Sequence, residues 1–313
     1  ESVEGGENWA RYSLIGLEAS QIIFIKKNQI EIELNGKIIE SFHCDDPLDY
    51  IDKLHKSFDL KKNNDLPIFN GGLVGYFGYD CVRYIESKLV DSEPPDTIGT
   101  PDALFMISDE VAVFDNLKNK LHLIVLIESE DDEGKANARL DELEHQLKAN
   151  LPYEDFNKPV KSIEETDFVS GFGEDKFKNS VDRAKKYIES GDIMQVVCSQ
   201  RMSIPFNADP VALYRSIRQL NPSPYMYYLN LKEFHIVGSS PEILARLEDG
   251  KITVRPIAGT RRRGKDELDD AAMEKDLVND PKEIAEHLML IDLGRNDVGR
   301  VAKPGTVNVT EKF

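Results

Sequence analysis

The sequence predicts an α+β fold, with antiparallel sheets packed against helices. Three observations carry that expectation. Short runs rich in β-branched residues or with two-residue alternation crowd the first 127 positions. Asn35-Gly36 and Asp249-Gly250 stand between such runs as two-residue hairpin turns. Helix starts at Asp46-Pro47, Asp209-Pro210 and Asp280-Pro281 are scattered among the strands instead of following each one, which argues against a parallel βαβ array.

Taken in order, Ile22–Ile25, Gln29–Leu34, Lys37–Phe42, Val111–Phe114 and Lys120–Ile127 are the amino-terminal strands. Asp46-Pro47 caps a helix whose Leu48, Ile51, Leu54 and Phe58 form one apolar face. The acidic run Ser129–Glu133 leads into a surface helix over Ala136–Leu151, and Pro152–Gly173 shows little periodicity. Beyond it, Phe177, Val181, Ala184, Tyr187 and Ile188 recur at helical spacing, with Gly191 just past the end. A strand is expected over Ile193–Ile204, then a helix from Asp209-Pro210 to about Leu220. Strands follow at Met226–Leu231, Phe234–Val237, Ile243–Leu247 and Lys251–Arg255, and a last helix runs from Asp280-Pro281 to about Leu293. The implied organisation is an amino-terminal domain over 1–150, a linker over 151–173 and a second domain over 174–313.

The 313 residues carry 39 Lys+Arg against 57 Asp+Glu, a formal charge of −18. That balance excludes a generic nucleic-acid or anionic-membrane binder, whose phosphate affinity needs clustered cations. No apolar run approaches the ~20 residues of a spanning helix. Cys44, Cys81 and Cys198 are scattered, form neither a disulfide framework nor a zinc pattern, and fit a cytoplasmic protein. The chain opens on Glu1-Ser2-Val3 without Met and stops at Glu311-Lys312-Phe313, directly after the alternating Thr306–Thr310. It is expected to be a fragment.

Several segments carry chemistry. Gly71–Asp80 is glycine-rich but lacks the spacing of a phosphate or dinucleotide loop, so close backbone packing is the better reading. Pro256–Gly264 follows a strand, exposes amides around Gly259 and places a hydroxyl at Thr260, which suits a carboxylate. Its Arg261-Arg262-Arg263 points to an anionic ligand, an acidic internal partner or a solvated basic loop. Glu283 and Glu286 sit at i, i+3 on the last helix, where paired carboxylates suit Mg²⁺ better than zinc. Glu283 also fits a capping box with Asp280. Glu286 shares an apolar face on a helix apolar all round, so burial and a partner are expected for it. Glu242, after Gly238-Ser239-Ser240-Pro241, starts a strand and could serve as a general acid. Asn221–Met226 is a double-proline turn whose prolines and Tyr225 could wall an aromatic ligand.

GDIMQVVCSQR (191–201), NPSPYMYYL (221–229), GSSPE (238–242), PIAGTRRRG (256–264) and KEIAEHLMLIDLGRND (282–297) occur in that order. Together they resemble the chorismate-binding domain of the anthranilate synthase large-subunit family. The amino-terminal ESVEGGENWARYSLIG and GGLVGYFGYD resemble the same subunits, so the likeness covers essentially the whole chain. It implies conversion of chorismate and ammonia to anthranilate and pyruvate with Mg²⁺. It also implies ammonia delivered from glutamine by an amidotransferase subunit, and inhibition by tryptophan at a site remote from the chemistry.

Residue by residue, the resemblance assigns Gly259 and Thr260 to the chorismate turn and Glu242 to the acid that helps the ring hydroxyl leave. Glu286 matches a Mg²⁺ ligand, with Glu283 in or near the same shell. Ser2, from the family's Leu-Leu-Glu-Ser motif, and Pro224, Tyr225 and Met226 match the tryptophan pocket. Gln195 stands where water-activating isochorismate and salicylate synthases carry Lys, and Gln cannot act as a base. Ala258 stands where aminodeoxychorismate synthases carry a nucleophilic Lys. Both positions favour anthranilate synthase over its relatives, aminodeoxyisochorismate synthase being the nearest rival and a tryptophan-binding module without catalysis the rival from another class. The family's remaining site residues lie beyond Phe313, so this chain alone is expected to be inactive.

Overall fold

The computed structural model describes residues 1–2, 11–58, 63, 65–150 and 162–312. The chain packs as two units, one of Glu1–Ala149 with Tyr214–Phe313 and one of Asn150–Leu213.

In the larger unit the strands β1 (Tyr12–Gly16), β2 (Gln21–Lys26), β3 (Gln29–Leu34) and β4 (Lys37–His43) lead into helix α1 (Pro47–Ser57). Asp46 caps α1, its carboxylate accepting the Asp49 amide at 3.0 Å. Strand β5 (Gly72–Phe77), the short helix α2 (Val82–Ile85), β6 (Ala103–Ser108), β7 (Glu110–Asp115), β8 (Lys120–Val125) and helix α3 (Glu133–Lys148) complete the amino-terminal part. Five strands form one antiparallel sheet in the order β4-β3-β2-β6-β5, and β1-β7-β8 form another.

Alternation decides what each face buries. On β2 and β3, Ile23, Ile25, Ile30 and Ile32 point to one side, where they pack with Ile51 of α1, Cys81, Ala103 and Phe105. Ile22, Phe24, Leu104 and Met106 point to the other. There they meet Leu229, Leu231, Phe234 and Ile236 of the hairpin made by β11 (Tyr225–Asn230) and β12 (His235–Ser240). Glu33, alternating out of the Ile30–Ile32 face, pairs with Lys232 in the turn of that hairpin. The sheet is therefore the platform on which the hairpin is set.

The glycine-rich Gly71–Asp80 contributes β5, and close packing is indeed its role. A Cβ on Gly75 would stand 1.8 Å from the Leu104 carbonyl oxygen of the neighbouring strand.

The smaller unit holds β9 (Val169–Ser170), α4 (Glu174–Glu189) and β10 (Met202–Ser203), and helix α5 (Pro210–Leu220) leads back to the larger one. After β11 and β12 come β13 (Arg246–Glu248), β14 (Lys251–Thr253), α6 (Glu267–Asn279) and α7 (Pro281–Gly299).

Several expectations are corrected. The strand over Ile193–Ile204 is not formed: only Met202–Ser203 finds a partner ladder, and Met194 and Val197 are largely exposed. Alternation proposes a strand, but only a paired neighbour satisfies its backbone. The strand at Ile243–Leu247 shrinks to β13, and Thr306–Thr310 forms none. Helix α7 runs to Gly299 and contains no buried residue, so Glu286 is only half-buried. An apolar helix is buried only where other elements cover it, and each α7 side chain keeps part of its surface in solvent. The end of the surface helix at Leu151, and residues 151–161 of the linker, lie outside the described residues.

Candidate functional site

The site grows from the β11–β12 hairpin and the segment after β14. Tyr225 pairs with Ser240 and Met226 with Ser239, so the double-proline turn and the Ser-Ser-Pro-Glu turn lie at the same end of the ladder. Ser239 Oγ ties the two together by donating to the Asn221 carbonyl at 2.7 Å. Ser240 Oγ donates to the Glu242 carbonyl at 2.9 Å and holds the turn that presents Glu242. The Glu242 side chain is exposed and its Oε1 accepts the Ile257 amide at 2.9 Å. That bond carries Glu242 to the residue before Ala258-Gly259-Thr260. A cleft of about 80 Å³ opens here among Pro224, Tyr225, Pro241, Glu242, Ile243, Arg255 and Ile257. Pro224 and Tyr225, expected in a pocket remote from the chemistry, thus line the same cleft as Glu242. Burial pushes the Tyr225 hydroxyl above its ordinary range, against the opposing pull of Arg246 and Arg255.

Gly259 has φ +75°, a conformation that favours glycine. A Cβ there would also meet Glu283 Oε2 at 2.8 Å and Leu277 Cδ1 at 3.0 Å. The turn and the first carboxylate of α7 are therefore neighbours, although 24 positions separate Gly259 from Glu283. Thr260 is exposed beside them.

Arg261 fixes this arrangement. Its guanidinium donates to Asp276 at 2.6 Å, Asp280 at 2.7 Å and Glu283 at 3.3 Å, and to the Thr260 carbonyl at 3.1 Å. Arg262 pairs with Asp269 and Arg263 with Asp270. Of the readings open for the arginine run, the acidic internal partner is the one observed. Asp269 is held below the usual carboxylate range chiefly by Arg262, and Asp280 by the Lys282 amide first, with the Glu283 amide and Arg261 adding.

Asp280 caps α7 by accepting the Lys282 and Glu283 amides at 2.9 and 3.4 Å. The Glu283 carboxylate does not complete the capping box. It turns to Arg261 and the glycine turn instead. Glu286 lies one helical turn further on and is half-buried, and the neighbouring His287 Nε2 is 2.9 Å from the Lys312 carbonyl oxygen.

Among the described residues no three His, Cys, Asp or Glu side chains are placed to hold a metal by themselves. Mg²⁺ needs less, commonly one or two carboxylates with water and substrate oxygens. The donor chemistry of Glu283 and Glu286 fits that requirement, and the missing Cβ of Gly259 leaves Glu283 Oε2 approachable.

Glu1 and Met226 exchange both backbone hydrogen bonds, at 2.7 and 2.8 Å, as an antiparallel pair. This sets Ser2 against Tyr225. Met226 is 2% exposed. Among the described residues, the hydroxyls of Ser2 and Ser223 are buried with no hydrogen-bond partner. A buried hydroxyl left unsatisfied costs about 1–3 kcal/mol, so both favour a ligand or water that would complete them.

Gln195 belongs to the smaller unit, exposed in its irregular stretch. A larger hollow beside α7, about 330 Å³, is lined by Asp292, Arg295, Asn296 and Val307 and contains none of the expected residues. For Arg261 the sequence offered an acidic internal partner but not which carboxylates, and it gave no sign of the Glu1–Arg218 pair.

The model of the chorismate binding enzyme family matches residues 7–313. The chain belongs to that family. It is similar over its whole length to anthranilate synthase component 1 of Pseudomonas aeruginosa (51% identical) and of Neisseria meningitidis serogroup B (48%). In both comparisons it spans 64% of the relative's length. The crystal structure of anthranilate synthase component I from Streptococcus pneumoniae TIGR4 superposes with a TM-score of 0.81 at 32% identity, covering 99% of this chain and 67% of that one. The mixed antiparallel and helical architecture expected from the sequence is thus the family's own. No helix among the described residues is long and apolar enough to cross a membrane.

Proposed function

We propose that this chain is the part of an anthranilate synthase large subunit that carries the chorismate turn, the acid for hydroxyl departure and two carboxylates for Mg²⁺. On this reading residues 1–150 are its amino-terminal domain and 174–313 belong to its catalytic domain. The observation that carries it is the meeting of Gly259-Thr260 with Glu283, with Glu242 linked to the same turn through the Ile257 amide.

Chorismate is a dicarboxylate. The amides around Gly259 and the Thr260 hydroxyl offer one carboxylate hydrogen-bond donors. Glu283 and Glu286 would hold Mg²⁺, which when bound neutralises and orients a carboxylate. Hydroxide is a poor leaving group, so Glu242 gives the ring hydroxyl a proton and it departs as water. Ammonia, delivered by a glutamine amidotransferase partner, adds to the ring without a strong base, in keeping with Gln195. Loss of pyruvate then leaves anthranilate. Tryptophan is the inhibitor, received by Ser2 and Pro224–Met226, and the two unpartnered hydroxyls support a ligand there.

The test is a chimera in which residues 1–313 replace their counterpart in the Pseudomonas aeruginosa component 1. With chorismate, Mg²⁺ and ammonium it should make anthranilate, identified by mass. A product that keeps the enolpyruvyl group would favour an aminodeoxychorismate or aminodeoxyisochorismate synthase. The 313-residue chain alone should show no anthranilate fluorescence, and appreciable turnover would contradict that part.

A further inference from the structure

We infer that Arg218 and Tyr214 are the positioning residues of the tryptophan pocket, setting the Glu1–Ser2 segment against β11 by gripping the Glu1 carboxylate. The inference rests on the reading of Ser2 and Pro224–Met226 as that pocket. It adds residues that touch no ligand.

The geometry is specific. Arg218 meets Glu1 as a fork, Nε on Oε2 and a terminal nitrogen on Oε1, both at 2.7 Å. Tyr214 donates its hydroxyl to Oε2 at 2.8 Å. Tyr214 and Arg218 are i, i+4 on α5, so one helix face presents both donors. The Tyr214 ring leans on Tyr228 of β11, centroids 6.4 Å apart, and Tyr228 in turn stacks on His235 of β12. The grip is therefore braced by the hairpin that the Glu1 segment joins. Arg218, then Tyr214, holds the Glu1 carboxyl below its ordinary range. Burial, with Glu1 next, pushes the Tyr214 hydroxyl up to about 12.

Among the described residues, Glu1 and Met226 exchange the backbone bonds that set the segment on the ladder. A bidentate guanidinium adds both affinity and direction. Once Glu1 is fixed, Ser2 follows on the chain opposite Tyr225, with its hydroxyl buried and unpartnered, like that of Ser223. Without the grip the Ser2 hydroxyl loses its place while Pro224–Met226 keeps its own, since Ser239 and the β12 ladder hold that turn independently.

The experiment is calorimetric titration of the 313-residue chain with tryptophan, comparing wild type, Arg218→Ala, Arg218→Lys and Tyr214→Phe. Hydrogen exchange at the Met226 amide, which donates to the Glu1 carbonyl, is read in parallel. Arg218→Ala should weaken tryptophan binding tenfold or more and speed Met226 exchange. Arg218→Lys should recover part of both, and Tyr214→Phe should lose less. Wild-type affinity in Arg218→Ala, or unchanged Met226 exchange, would overturn the inference while leaving the pocket in place. Absence of tryptophan binding in the wild type would overturn the pocket reading and the inference with it. Should Arg218→Ala fail to fold, Arg218→Lys and Tyr214→Phe decide by the same two readouts.

Discussion

The five-stranded sheet and the α6–α7 region hold their shapes by different means. The sheet buries Ile23, Ile25, Ile30 and Leu104 almost completely and sandwiches its central strands between α1 and the β11–β12 hairpin. The α6–α7 region has no buried residue in either helix and is tied to the Gly259-Thr260 turn by Arg261, Arg262 and Arg263. The first is a platform set by apolar burial, indifferent to salt. The second is a partly exposed surface set by charge, and therefore open to screening by salt.

The largest expected effect tests the platform. Leu104→Ala should cost about 2–5 kcal/mol in denaturant unfolding, against well under about 1 kcal/mol for Leu293→Ala on half-exposed α7. Equal costs would erase the contrast. Gly75→Ala, forcing a Cβ onto the Leu104 carbonyl, should cost about 1–3 kcal/mol and show no salt dependence. Arg261→Gln should destabilise less than either Leu104→Ala or Gly75→Ala at low salt, with the loss shrinking as ionic strength screens the partly exposed network. A loss that persists in high salt would make the turn as apolar in its support as the sheet.

The smallest effect is acid sensitivity in the β1-β7-β8 sheet. Arg11 holds the Asp115 carboxyl down to about 2. Because the folded value lies below the unfolded one, this pair's contribution is fully present above pH ~4 and is lost as pH falls toward 2. Asp115→Asn should flatten that part of an acid-unfolding curve, and an unchanged curve would remove the pair from the account.

The contrast also explains what the sequence made legible. Strand β3 falls at the expected Gln29–Leu34 because its alternation is set by one buried face. Asp46-Pro47 and Asp280-Pro281 mark helix starts because capping is a local bond. Strand β6 was missed because burial on both faces removes alternation from Ala103–Ser108. Helix α6 was missed because its apolar and acidic residues follow no face. The site's residue types were readable from motifs, but their links were not. The Glu1–Arg218 pair spans 217 positions, and the Arg261 hub needs α6 to be in place.

The most direct measurement is amide hydrogen exchange across the chain, with and without chorismate plus Mg²⁺. Slow exchange is expected in β2, β3 and β6 under both conditions. Faster exchange is expected in residues 256–299, slowing on ligand addition around Gly259–Arg261 and Glu283–Glu286. Protection that appears elsewhere, or no change at those residues, would contradict the placement of the chorismate site.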